Sequence, residues 1–118
     1  MLPRLGLDTL VITLKAAGES TRLRILSLLA KGDLTVSDLT EILGQSQPRV
    51  SRHLKLLHEA GLIDRYQEGA WAFFRLADSD GPQALVHGLL DRLDTADRQV
   101  TRDGERLGEV KKRRQQRA

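Results

Sequence analysis

The segment Gln45-Ser-Gln-Pro-Arg-Val-Ser-Arg-His-Leu-Lys-Leu-Leu-His-Glu-Ala-Gly-Leu-Ile63 decides the fold. Ser46 carries a side chain suited to a helix N-cap, and Pro48 falls in the first turn, where a missing N–H loses no hydrogen bond. Val50, Leu54 and Leu57 then cluster on one side of a helix that turns about 100° per residue, and Gly61 ends it. Pro48, Arg49, Ser51, Arg52 and Lys55 lie on or near the other side. The helix therefore has an anchoring face and a hydrogen-bonding face.

Upstream, Gly44 closes a shorter helix predicted over Val36 to Leu43, with Thr35 as its N-cap and Val36, Leu39, Ile42 and Leu43 at helical spacing. Two helices joined by about three residues around a glycine form a helix-turn-helix pattern. A helix before this pair is expected to start at Ser20 or Thr21, either of which can cap it, and to carry Leu23, Ile25, Leu26, Leu28 and Leu29 to about Lys31. A first helix is expected over Leu7 to Ala17, ending near Gly18.

Downstream of Gly61 the period changes. Leu62 to Gln67 and Trp71 to Leu76 read as two strands, with Glu68-Gly-Ala70 as the turn. All four aromatic residues of the chain, Tyr66, Trp71, Phe73 and Phe74, fall in this hairpin. Asp78-Ser-Asp-Gly-Pro82 has the chemistry of a loop. Leu85, Val86, Leu89, Leu90 and Leu93 then define a fifth helix from about Pro82 to Asp97 or beyond. The expected fold is mainly α with a β-hairpin: a winged helix-turn-helix of about five helices and a two-stranded wing. Residues 1–98 make the DNA-binding and dimerisation domain, and residues 99–118 a charged extension, helical or disordered, with only Val100, Leu107 and Val110 apolar and branched.

The 118-residue length suits one compact domain. With no cysteine, disulfides, thiolate metal sites and thiol redox sensing are excluded. The net charge of +3 is unevenly spread: from Arg102 onward seven basic residues face three acidic ones, giving +4, and the preceding residues sum to −1. Basicity thus belongs to the tail, and the case for nucleic acid rests on position rather than on total charge. No apolar run approaches the ~20 residues of a membrane span, and the N-terminus lacks the pattern of a secretory signal, so a cytoplasmic location is the default expectation.

An α-helix fits the DNA major groove, where arginine bonds guanine, glutamine bonds adenine, and serine reaches a base edge or a phosphate. Gln47, Arg49, Ser51, Arg52 and Lys55 offer these chemistries on one helix. Arg65 and Arg75 on the hairpin are read either as phosphate contacts or as surface salt bridges, and Glu68 argues against deep insertion of the tip. Leu10, Val11 and Leu14 on the first helix and Leu85, Leu89, Leu90 and Leu93 on the fifth exceed what one small core covers, so they are assigned to a homodimer interface. The expected partner is a double-stranded, imperfectly palindromic operator. The alternative is a winged-helix protein-interaction module whose basic face meets an acidic protein. No nucleophile and base stand at recognisable spacing, so no enzyme activity and no cofactor are expected.

The runs Glu19-Ser-Thr-Arg-Leu-Arg-Ile-Leu-Ser-Leu-Leu29, Leu34-Thr-Val-Ser-Asp-Leu39 and Ser46-Gln-Pro-Arg-Val-Ser-Arg-His-Leu-Lys-Leu-Leu57, followed by Ala60-Gly-Leu-Ile63, resemble the ArsR/SmtB family of bacterial repressors. The resemblance runs from about Leu7 to Leu76. It implies a dimeric winged-helix regulator released from DNA by an effector, and it adds His53 to the DNA-reading helix beside Gln47, Arg49, Ser51 and Arg52. Thr35 and Ser37 stand where metal-sensing members carry cysteines, and hydroxyls are poor ligands for soft metals. His87 and Asp91, with Asp94 nearby, fall short of the paired set used on the family's C-terminal helix, so no metal site is expected and a small-molecule effector is left open. The run from Gly44 to Leu57 together with Glu68-Gly-Ala-Trp71 also resembles members fused to an S-adenosylmethionine-dependent methyltransferase. On that likeness the chain is either part of such a fusion or a stand-alone relative.

Overall fold

A computed structural model describes residues 4–78 and 81–117. Their elements run α1 (Leu7–Ala17), α2 (Ser20–Leu29), β1 (Leu34–Thr35), α3 (Val36–Leu43), α4 (Gln47–Glu59), β2 (Ile63–Glu68), β3 (Trp71–Leu76), α5 (Pro82–Asp91) and α6 (Arg98–Arg117). Ser79 and Asp80 of the expected loop lie outside the described residues.

The helix-turn-helix closes as its caps dictate. Thr35 and Asp38 form a reciprocal capping box at the start of α3, and Gly44 ends that helix at φ 66°, a left-handed conformation that a side chain would strain. Ser46 caps α4 through the Arg49 amide. The cap of α2 corrects the expectation of Ser20 or Thr21. Glu19 holds that position, its carboxylate accepting from the Arg22 amide at 2.8 Å, while the buried Thr21 hydroxyl accepts from Gln45 Nε2 at 2.9 Å. Ile25, Leu26, Leu28, Leu39, Ile42, Val50, Leu54 and Leu57 are fully buried, joined by Leu62, Ile63 and Val86. At about 25 cal/mol per Å² of apolar area, this core supplies most of the driving force for folding.

The sheet has three strands where two were expected, in the antiparallel order β1-β3-β2. Leu34 pairs with Phe74 and Thr35 with Phe73, so a two-residue strand stitches the base of the wing to the start of α3. At the other edge, Glu68 opposes Trp71 across a tight turn in which Gly69 takes φ 61°.

There are also six helices among the described residues rather than about five. The expected fifth helix stops at Asp91, because the Asp94 and Asp97 side chains take backbone donors for themselves. Asp94 accepts from the Ala96 amide, and Asp97 accepts from the Gln99 and Val100 amides and so starts α6. The charged C-terminal stretch is helical and packs on α2 and α3. Leu107 and Val110 join the core, and the Asp103 carboxylate, 4% exposed, forms a two-point ion pair with Arg24 at 2.9 Å in each arm. Arg106 donates to the Ile42 carbonyl near the end of α3, and Lys111 to the Lys31 carbonyl just past α2, each at 2.9 Å. Cations placed at helix C-termini gain from the helix dipole as well as from the hydrogen bond.

Candidate nucleic-acid interface

Helix α4 divides its side chains as the helical wheel requires. Val50, His53, Leu54 and Leu57 are buried, whereas Gln47, Arg49, Arg52 and Lys55 are exposed and Ser51 is half-exposed. Arg52 points most nearly opposite Val50 and bonds to no other side chain among the described residues. Gln47 and Ser51 lie on one flank, where Gln47 Nε2 donates to the Ser51 hydroxyl at 2.7 Å. Arg49 occupies the other flank. Lys55 is 3.9 Å from Glu59 in an exposed pair that contributes little and leaves the ammonium free to swing.

The wing register separates two arginines that the sequence left equivalent. Residues directly opposite in an antiparallel pair share a face. Arg65 opposes Phe74, which is buried towards α4, and Arg65 lines one crease with Ser51, Lys55 and His58. Arg75 opposes Asp64 on the other face, where its guanidinium lies 5.0 Å from the Tyr66 ring centroid. The fold therefore brings Arg65 to the α4 surface and leaves Arg75 out of it. His58, absent from the expected set, belongs to the crease; it follows Ser51 by seven residues, two helical turns, and that spacing was the available signal.

His53 departs furthest from expectation. It is 9% exposed, and its Nδ1 lies 3.2 Å from Arg22 Nη1 and 3.8 Å from Glu19 Oε1. A guanidinium can only donate, so Nδ1 accepts and the ring proton sits on Nε2. Arg22 is held in turn by the Ala16 and Lys15 carbonyls, which makes His53 a joint between α1, α2 and α4 rather than a group presented to DNA. Burial pushes its pKa below the ordinary 6.5; Glu19 opposes the shift, and Arg22, Arg49 and Arg52 add to it. Between 6.5 and the folded-state value the unfolded chain binds the extra proton, so stability is complete above 6.5 and is lost as the pH falls below it. The melting temperature is expected to drop between about pH 7.5 and 5.5, and to drop less in His53→Gln, whose amide oxygen can still accept from Arg22. Equal drops in the two proteins would remove His53 as the cause.

The surface assigned to dimerisation is partly open. Val11 and Leu14 are exposed and Leu10 is half-buried, Leu7 extends the same apolar face at 77% exposure, and Ile12, on the other flank of the helix, is 54% exposed. On α5, Leu85, Leu89 and Leu90 are half-buried, as is Leu93 just beyond it. Helices α1 and α5 pack against each other within the chain. Among the described residues no group of three or more His, Asp or Glu side chains is disposed to hold a metal ion, and His87 lies 3.4 Å from Gln83 Nε2. No described helix is long and apolar enough to cross a membrane.

Residues 19–65 match the family described as bacterial regulatory protein, arsR family. The arsenic resistance transcriptional regulator ArsR1 of Pseudomonas putida is 36% identical over 105 residues, which span 88% of this chain and 81% of that protein. The chain belongs to the ArsR family. The arsenical resistance operon repressor of Escherichia coli is 47% identical over 64 residues, 53% of this chain and 55% of the repressor. Among solved structures, the homodimeric winged helix-turn-helix DNA-binding domain Mb0332 of Mycobacterium bovis superposes with a TM-score of 0.62 at 32% identity, covering 72% of this chain and 81% of that one. As a member of the family the protein is a winged-helix, DNA-binding transcription regulator without cysteine, and its relatives are regulators rather than enzymes.

Proposed function

We propose that the protein is a dimeric repressor that lays α4 in the major groove of an imperfect palindrome and is released by an effector. The observation that carries this reading is the outward face of α4. Gln47, Arg49, Arg52 and Lys55 stand clear of the core while Val50, Leu54 and Leu57 fix the helix from behind. In this reading Gln47, Arg49 and Arg52 reach base edges, and Ser51, Lys55, His58 and Arg65 hold the phosphates beside the wing. His53 positions the helix, and Arg75 takes no part.

Dimerisation through α1 and α5 covers Leu7, Val11 and Leu14, an exposed apolar stripe with no other described use. A two-fold axis through that stripe presents two copies of α4 to adjacent turns of one DNA face. The Mycobacterium bovis domain is homodimeric, which supports a dimer here. A DNA target also implies a cytoplasmic site of action. The test is an anisotropy titration of labelled DNA from upstream of the gene against a shuffled fragment, in which saturable binding that prefers the natural sequence and weakens steeply with salt is expected.

A further inference from the structure

A cleft of about 460 Å³ lies between α3, β3 and the C-terminal half of α6, on the side of the wing away from α4. That volume falls within the range of small-molecule sites. One wall is aromatic. Trp71 is 60% exposed, an unusual state for the largest apolar side chain, and Phe73 continues the wall towards Val110. The other wall carries two ion pairs, Arg113 with Glu41 and Arg114 with Asp38.

The two pairs are not equivalent. Asp38 is mostly buried and also accepts from the Thr35 amide in the α3 cap, while Arg114 lies 5.5 Å from the Phe73 ring centroid, so both are fixed by second contacts. Arg113 and Glu41 are each about half exposed, and among the described residues each has only the other. An exposed pair of this kind is weak and exchangeable. A ligand carboxylate can take Glu41's place on the guanidinium fork while Glu41 returns to water. Within the cleft Arg113 and Arg114 are balanced by Glu41 and Asp38, and the rest of the stretch from Arg102 onward adds five basic residues against three acidic ones, which favours an anionic visitor over a cationic one.

We infer that this cleft binds small aromatic carboxylates, with the ring against Trp71 and the carboxylate on Arg113. Because its walls belong to the first helix of the helix-turn-helix and to the wing, occupancy shifts one against the other and weakens DNA binding. That regulatory half rests on the DNA reading proposed above, whereas the binding half does not.

Trp71 is the single tryptophan, so its indole N–H gives one resonance that reports on the cleft without DNA present. Naphthalene-2-carboxylate is expected to shift that resonance saturably, naphthalene-2-carboxamide to bind at least about tenfold more weakly, and Arg113→Gln to weaken the carboxylate by a similar factor, the loss of one charge-assisted bidentate contact. Glu41→Gln, which frees Arg113, is expected to tighten it. Equal affinity for 2-naphthylmethylammonium, unchanged affinity in Arg113→Gln, or no saturable shift overturns the site. If the carboxylate saturates the cleft and DNA affinity stays the same, the regulatory half falls and the DNA reading stands.

Discussion

Arg52→Ala is expected to weaken binding to the natural operator by about 1–3 kcal/mol, roughly 5- to 150-fold, with no change in melting temperature. The size is that of one arginine contact to a base edge, and the unchanged melting temperature follows from the free protein, where Arg52 makes no side-chain bond among the described residues. Arg52 is exposed, opposite the buried stripe of α4, and bonds to no side chain among the described residues, so its removal leaves the fold intact. Two outcomes separate base reading from phosphate contact. If Arg52 bonds a base, the loss appears on the operator and not on shuffled DNA. If it bonds a phosphate, both affinities fall together and the slope of affinity against salt shrinks by about one. Arg75→Ala serves as the control, since the opposite face of the wing is expected to tolerate it without loss of operator affinity.

Asp103→Ala is expected to destabilise the protein by about 2–4 kcal/mol, which for a chain of this size lowers the melting temperature by roughly 10 °C. Asp103 accepts from both arms of Arg24 and also from the Gln99 side chain through Nε2, each at 2.9 Å. Alanine leaves the Arg24 guanidinium, 16% exposed at its side chain, without a carboxylate; that residual access to water is why the upper end of the range for a broken buried pair is not expected. Replacing Arg24 and Asp103 together by methionine and leucine restores much of the stability, because no uncompensated charge remains. A single-variant loss below about 1 kcal/mol would mean that Leu107 and Val110 hold α6 on their own. Thermal denaturation of the three proteins decides it.

The readability of this chain varied with the reach of the interaction. Where a residue acts on its own turn of backbone, its effect was visible: the Thr35 and Ser46 caps, the left-handed Gly44 and the 3.6-residue stripe of α4 placed the helix-turn-helix correctly. The stop at Asp91 is also local, but the apolar Leu93 masked the competing carboxylates of Asp94 and Asp97. β1 was invisible because two residues have no period, and its pairing with β3 spans about forty residues of chain.

The candidate site shows the same division. The outward set on α4 followed from spacing alone, whereas the separation of Arg65 from Arg75 required the strand register, which the sequence does not display. His53 was drawn onto the DNA face by resemblance, although on the wheel it falls next to Leu57 and so borders the apolar stripe; that adjacency was the warning. The docking of α6 also left a trace. Val100, Asp103, Leu107 and Val110 repeat at i, i+3, i+7 and i+10, with the polar member satisfied by Arg24, and a charge-based reading of the tail passed over it.

The central claim is that α4 reads sequence, and the most direct measurement of it is the ratio of affinities for the natural upstream DNA and its shuffled counterpart, at fixed salt near 0.15 M, the physiological level. Reading through two copies of α4 predicts a preference of about a thousandfold or more. Equal affinities for the two fragments would contradict it.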